Sequence, residues 1–142
     1  MSVYELRPEV PCHAGPGTVR DVTAIPPRFS NVSLEFDGWL GDDLIETFPL
    51  YAVTDRLRAA LEEAGVSGMS FERVPATKSE QYMDLYPEEE IGTWSLMTVA
   101  GREGTGDDAW LSPGWVLMVS QRFWDVASQF QLTYGRFAEH PS

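Results

Sequence analysis

The sequence predicts an α+β fold: a mixed, mostly antiparallel sheet with two or three helices packed against it. Three observations predict it. Short apolar or alternating runs recur at Asn31–Phe36, Leu50–Val53, Met69–Val74, Thr93–Ala100 and Trp115–Val119. Between them, and after the last, lie stretches of helical spacing, each opened by a hydroxyl residue: Thr54, Ser79 and Ser120. The alternation of the two is irregular, which does not fit a regular series of β-α-β crossovers.

Val3–Leu6 reads as a short opening strand. Residues 7–30 hold Pro8, Pro11, Pro16, Pro26 and Pro27 with Gly15 and Gly17. A long regular element does not survive that density of breakers, so this segment is expected to be irregular, with Pro26–Pro27 extended. In Asn31–Phe36, Val32, Leu34 and Phe36 alternate with polar residues, the mark of a half-buried strand. Gly38–Asp43 reads as a turn, from which Asp42 or Asp43 caps a short helical turn holding Leu44, Ile45 and Phe48, ended by Pro49. Leu50–Val53 is a short buried strand.

Thr54 then caps a helix over residues 55–64. Leu57, Ala60, Leu61 and Ala64 share one face, Asp55 sits at the positive end of the helix dipole, and Gly65 supplies the left-handed stop. Met69–Val74 is a strand, and Ser79 caps a short helix that ends before Pro87. In Thr93–Ala100, Trp94, Leu96 and Thr98 share one face and Ser95, Met97 and Val99 the other. Gly101–Gly106 is a turn. Trp115–Val119 is apolar without alternation, expected as a central strand buried on both faces. Ser120 caps a helix to about Phe130 that buries Phe123, Trp124 and Ala127, and Gln131–Phe137 follows as a strand or a tail, with His140 mobile beyond it. No internal repeat and no domain boundary is visible, so residues 1–142 read as one domain with 7–30 as an irregular segment within it.

Of 142 residues, 43% are hydrophobic and 12% aromatic, the composition of a folded globular chain. The net charge is −12, and it is concentrated: residues 31–90 carry fourteen Asp/Glu against four Arg/Lys, a net of −10. Such a field repels nucleic acid and anionic membrane surfaces and attracts basic protein surfaces. The apolar runs are too short to cross a bilayer. The first residues include Glu5 and Glu9 and no apolar leader. With Cys12 as the one cysteine, no intrachain disulfide forms, and a cytoplasmic location is expected.

Catalytic signatures are weak. Cys12 and His13 are adjacent in an extended segment and point to opposite sides, which does not make a nucleophile–base pair. One Cys and two His match no zinc spacing. Ser67 and Ser120 lack a nucleophile elbow, and the glycine-rich stretches lack the lysine of a phosphate loop. No catalytic residue, metal or cofactor is therefore assigned. Two acidic doublets remain, each beside a tryptophan: Asp42-Asp43 with Glu46, near Trp39, and Asp107-Asp108, near Trp110. If helical, Asp42 and Glu46 share a face. Paired carboxylates of this kind serve a divalent ion or acid–base chemistry in one reading, and helix capping and turn solvation in another. Glu62 and Glu63 belong to the solvated helix face, and Glu88–Glu90 follow a helix stop in a loop.

Dense like charge costs stability, a few tenths of a kcal/mol per close pair. An acidic face interleaved with Trp39, Phe48, Tyr51, Tyr82 and Tyr86 suits a basic protein partner: aromatics supply burial, and carboxylates supply steering. The expected interface residues are Asp37, Trp39, Asp42, Asp43, Glu46, Asp107, Asp108 and Trp110, centred on an exposed turn from Asp37 to Glu46. A homo-oligomer associating through its less acidic C-terminal half is a further reading.

The stretch Phe36-Asp-Gly-Trp-Leu-Gly-Asp-Asp-Leu44, with Phe48-Pro49, Val53-Thr54, Leu57, Gly65-x-Ser67-Gly68-x-x-Phe71, Ser79-x-x-Tyr82, Asp107-Asp108 and Val119-Ser120, resembles small bacterial proteins similar to the immunity proteins of polymorphic toxin systems. The likeness covers roughly residues 31–125. Some of these relatives carry a doubled Cys-x-x-Cys-Gly motif. It is absent here, so no metal site carries over. The resemblance implies a non-enzymatic cytoplasmic protein that binds and neutralises a basic toxin.

Overall fold

The computed structural model describes residues 2–25 and 27–141; Pro26, half of the expected extended proline pair, lies outside the described residues. The fold is α+β, its sheets mostly antiparallel. One four-stranded sheet has the order β6 (Leu44–Thr47), β7 (Leu50–Thr54), β10 (Trp94–Val99), β8 (Met69–Val74). A second has the order β11 (Ala109–Leu111), β12 (Leu117–Ser120), β1 (Val3–Arg7), β13 (Arg136–His140). A smaller sheet joins β2 (Cys12–Ala14), β5 (Leu34–Phe36) and β9 (Ala76–Lys78), with β5 and β9 parallel, and β3 (Val19–Asp21) pairs β4 (Arg28–Ser30) as a separate hairpin. The helices are α1 (Asp55–Ala64), α2 (Glu80–Leu85) and α3 (Gln121–Ala127).

The helix starts fall where hydroxyl caps place them. Thr54, Ser79 and Ser120 each have extended backbone and accept a hydrogen bond from the N–H three residues on. Gly65 ends α1 at φ 68°, a left-handed conformation in which a Cβ is strained. Leu57 and Leu61 of α1 and Phe123 and Ala127 of α3 are fully buried and meet in one core with Leu44, Val53, Leu117 and Val119. A second core, of Phe36, Tyr82 and Trp94 with Leu34 and Ile45, lies beneath the small sheet and α2.

Several expectations are corrected. Leu44 and Ile45 are not helical: they pair with Val53 and Ala52 in a hairpin, and that pairing overrides a local helical spacing of only a few residues. Asp42 and Glu46 therefore share no helix face. The segment 7–30 is not wholly irregular, because three-residue strands fit between its breakers. The apolar run at 115 starts its strand only at Leu117. Trp115 has φ 60° and is 39% exposed, and β12 buries alternate residues rather than both faces. Helix α3 stops at Ala127, and His140 is held in β13, its Nε2 3.6 Å from a Glu5 oxygen.

The largest correction is an internal repeat. Hairpin β6–β7 leads into α1 and then β8, with β10 antiparallel between β7 and β8. Hairpin β11–β12 leads into α3 and then β13, with β1 antiparallel between β12 and β13. The register agrees residue by residue. Thr54 faces Trp94, which faces Val74; Ser120 faces Val3, which faces His140. A constant offset of 66 positions relates the two copies from Val53/Val119 to Val74/His140 (119 − 53, 140 − 74). The N-terminal strand thus completes the C-terminal copy.

Candidate functional site

The repeat explains both acidic doublets. Asp43 Oδ1 accepts from the Thr54 hydroxyl at 2.5 Å, and its Oδ2 accepts from Gln131 N–H at 2.9 Å and Arg56 Nη2 at 2.7 Å. Asp108 Oδ1 accepts from the Ser120 hydroxyl at 2.7 Å and its Oδ2 from Ser67 N–H at 2.8 Å, with Arg122 at 3.8 Å. Burial alone pushes the Asp43 carboxyl up, but the bonds from Arg56, Thr54 and Gln131 outweigh it and hold it below the ordinary carboxylate range. Asp42 Oδ2 accepts the N–H groups of Tyr134 and Gly135 at 2.9 and 2.8 Å, and its Oδ1 has no partner among the described residues.

These residues therefore do not form the exposed surface expected of them. Asp42 and Asp43 are 0% and 1% exposed, and Asp108 and Trp110 are buried at 5% and 7%. The physical reason is that each doublet sits under the loop that follows the helix of the opposite copy, whose backbone N–H groups (Ser67 in one case, Gln131, Tyr134 and Gly135 in the other) lie outside helix and ladder and require an acceptor. Asp107 is half-buried and closes its own loop on Arg102 and Thr105. Glu46 is half-buried on β6, its pKa raised by burial and partly offset by Arg7. Asp37 is exposed and lies 2.7 Å from His13 Nδ1. The two doublets are thus in separate places, and of the eight residues Trp39 alone borders a cleft of the size that takes a ligand.

The copies differ where that cleft lies. Past β10, Gly101 makes a parallel bridge to Trp110; past β1, Glu9 makes the same bridge to Ile45. The first seam is shut: a Cβ on Gly101 would lie 2.0 Å from the Ala109 carbonyl oxygen. At the second, Pro8, Glu9, Val10 and Pro11 replace the glycine turn, and α2 and the small sheet are added to the frame. There the surface opens into a groove of about 820 Å³. Its floor is Pro8, Pro11, Trp39 and Leu40. Tyr82, Tyr86 and Glu89 wall it on the α2 side, and Arg7, Tyr134 and Arg136 on the other.

Each wall has a cause. Trp39 stands edge-on to buried Trp94 at 5.3 Å and donates Nε1–H to the Asp42 carbonyl at 2.9 Å, which fixes its ring. Glu9 is 7% exposed and accepts N–H from Leu40 at 2.7 Å and Asp42 at 3.2 Å, so it holds the floor. Burial raises its pKa despite those two bonds, and the nearby Asp42 charge adds to the rise. Tyr82 is fully buried, its hydroxyl bonded to Glu89, while Lys78 lies over its ring at 4.7 Å and ties the Tyr86 and Glu89 carbonyls. That leaves Tyr86 and Tyr134 free at 57% and 52% exposure.

From Glu80 to Glu90 there are five carboxylates and no Arg or Lys, and none of the five is in an ion pair among the described residues. Met83, Leu85 and Tyr86 are large, exposed apolar side chains in the same segment. The sequence reading discounted Glu88–Glu90 as loop and favoured the buried doublets. Glu9, Tyr134 and Arg136 carry no signal of their own, because the groove assembles four separate stretches of chain, which no linear spacing records.

Searches of protein-family models, of curated proteins and of solved structures each return no match for this chain. Among the described residues no group of three or more His, Cys, Asp or Glu is placed to hold a metal ion, and no helix is long and apolar enough to cross a membrane.

Proposed function

We propose that this chain is a non-enzymatic protein-binding domain that takes a basic partner at the groove and its acidic rim. Inhibition of a basic toxin in the cytoplasm, as an immunity protein does, is its most concrete form. The observation that carries the reading is the segment Glu80–Glu90. It sets five carboxylates, none in an ion pair among the described residues, beside exposed Met83, Leu85 and Tyr86 at the edge of a concave aromatic surface. Unpaired charge of one sign steers and selects a partner of the other, and exposed Tyr and Met provide the area that becomes buried. In complexes of this type, close charge pairs couple by about 1.5–7 kcal/mol. The doublets support the reading only from below, by holding the frame.

Affinity capture from the source lysate at about 0.1 M and again at about 1 M salt tests it, because the screening length falls from roughly 10 Å to 3 Å between them. The expected result is a basic protein retained at low salt, released at high salt, and lost with Glu88→Lys/Glu90→Lys but kept with Glu103→Lys, which lies in the other loop. A partner that is toxic when expressed alone supports the inhibitor form. Retention of nothing at low salt, or retention indifferent to the reversal at 88 and 90, overturns the proposal.

A further inference from the structure

The groove has a direction. Glu89 lies on one wall with Glu88 and Glu90 next to it, while Arg7 and Arg136 stand on the other. Those two arginines are directly opposite each other in the β1–β13 register, a like-charge pairing that costs stability. Glu5 compensates Arg7 at 3.1 Å, and Arg136 has no ion-pair partner among the described residues. Between the charged walls the surface is rings and prolines, and the Tyr86 and Tyr134 hydroxyls have no hydrogen-bond partner among the described residues.

Resting on the protein-binding reading above, we infer that the groove's occupant is an extended, proline-rich segment of the partner, with its Arg or Lys residues at one end only. An extended segment of polyproline type has no internal hydrogen bonds, so its carbonyls need outside donors, and free tyrosine hydroxyls supply them while the rings pack on proline. The basic end lies toward Glu88–Glu90. The opposite placement sets it against Arg136, an uncompensated like charge, and this repulsion fixes the orientation.

Selection of a random twelve-residue displayed peptide library on the immobilised full chain tests this. Enriched peptides should combine proline with a basic cluster confined to one end. Synthesised winners, followed by fluorescence anisotropy, should weaken at least about tenfold with Tyr86→Ala/Tyr134→Ala and with Glu88→Lys/Glu90→Lys. The same peptide with its order reversed should bind the wild type at least about tenfold more weakly, and Arg136→Glu should narrow that gap. All five substituted side chains are exposed, and an unchanged melting temperature confirms that each variant is folded. No enrichment, enrichment without basic residues, or binding indifferent to both double variants or to peptide order overturns the inference. Salt-sensitive capture of a folded partner with no peptide enriched leaves the protein-binding reading standing and removes this one alone.

Discussion

Asp43 and Asp108 hold the same position in two copies of one unit, and each clasps the other copy. The backbone N–H of Asp43 donates to the Gln131 carbonyl at 2.8 Å, just past α3, and that of Asp108 donates to the Ser67 carbonyl at 3.0 Å, just past α1. Each carboxylate returns the bond by accepting from the N–H of the residue it donates to, and each also engages the hydroxyl that caps its own helix. The two copies therefore meet through two analogous contacts, much as subunits of a twofold dimer do, although the clasped residues Gln131 and Ser67 are 64 (131 − 67) rather than 66 positions apart.

Because the two clasps share the same backbone and hydroxyl bonds, Asp43→Asn and Asp108→Asn should both be costly, Asp43→Asn the more so, since Arg56 lies 2.7 Å from Asp43 and Arg122 3.8 Å from Asp108. Each leaves a buried N–H or hydroxyl facing an amide and removes a bonded charge, which puts the loss at about 2–4 kcal/mol. Urea denaturation measures it. Glu103→Gln, on an exposed loop, should stay within about 0.5 kcal/mol. A loss confined to one of the two aspartates would show that the bonds common to both clasps are not what holds the copies together.

The pH dependence carries two signs. Asp43 is held below its ordinary value, so its contribution is present above about pH 3.8 and is lost as pH falls through its depressed native value. Glu9 and Glu46 are raised from 4.5, so the native state binds their protons more tightly, and stability falls as pH rises through their native values. Melting temperature against pH should therefore peak on the mildly acidic side. Glu46→Gln should flatten the decline toward neutrality and raise the melting temperature at pH 7. A wild-type profile that climbs steadily to pH 7 would contradict this.

How much was legible in the sequence follows from the range of each interaction. Thr54 to Gly65 came out to the residue, because cap, apolar stripe and stop are all local. The strand at Leu44 did not, since only its pairing with β7 decides between helix and strand. The repeat was in plain view as Gly41-Asp-Asp followed by Val53-Thr-x-Arg, and Gly106-Asp-Asp followed by Val119-Ser-x-Arg. Charge masks it, because an acidic doublet at a turn is accounted for by solvation and capping without any repeat. The groove was not legible: residues 7–11, 38–40, 82–89 and 134–136 meet only after both copies close.

Cys12 should be an inert thiol. It is buried at 6% exposure in the second core, and burial, with the Asp37 and Glu9 charges behind it, pushes its pKa up to about 12. At pH 8 the thiolate fraction is then on the order of one in ten thousand, against about a tenth for a thiol at the ordinary 9.0. Alkylation by iodoacetamide should be far slower for the native chain than in urea. Equal rates in the two conditions would mean that the small sheet opens readily.

Gly101 tests whether the closed seam and the open groove have different work. A Cβ there meets the Ala109 carbonyl oxygen at 2.0 Å and the Asp107 Cβ at 2.9 Å, and the first of these is backbone that cannot step aside alone. Gly101→Ala should therefore cost about 1–3 kcal/mol or more, as overpacking against a fixed neighbour does. Gly114→Ala is the matched control: its nearest neighbour is the Ser112 hydroxyl at 3.9 Å, so it should be neutral or slightly stabilising. Below its melting temperature, the Gly101→Ala chain should still retain whatever partner the wild type retains, because the clash lies at the seam across the repeat from the groove. Loss of the partner without loss of stability would place binding at the closed seam instead.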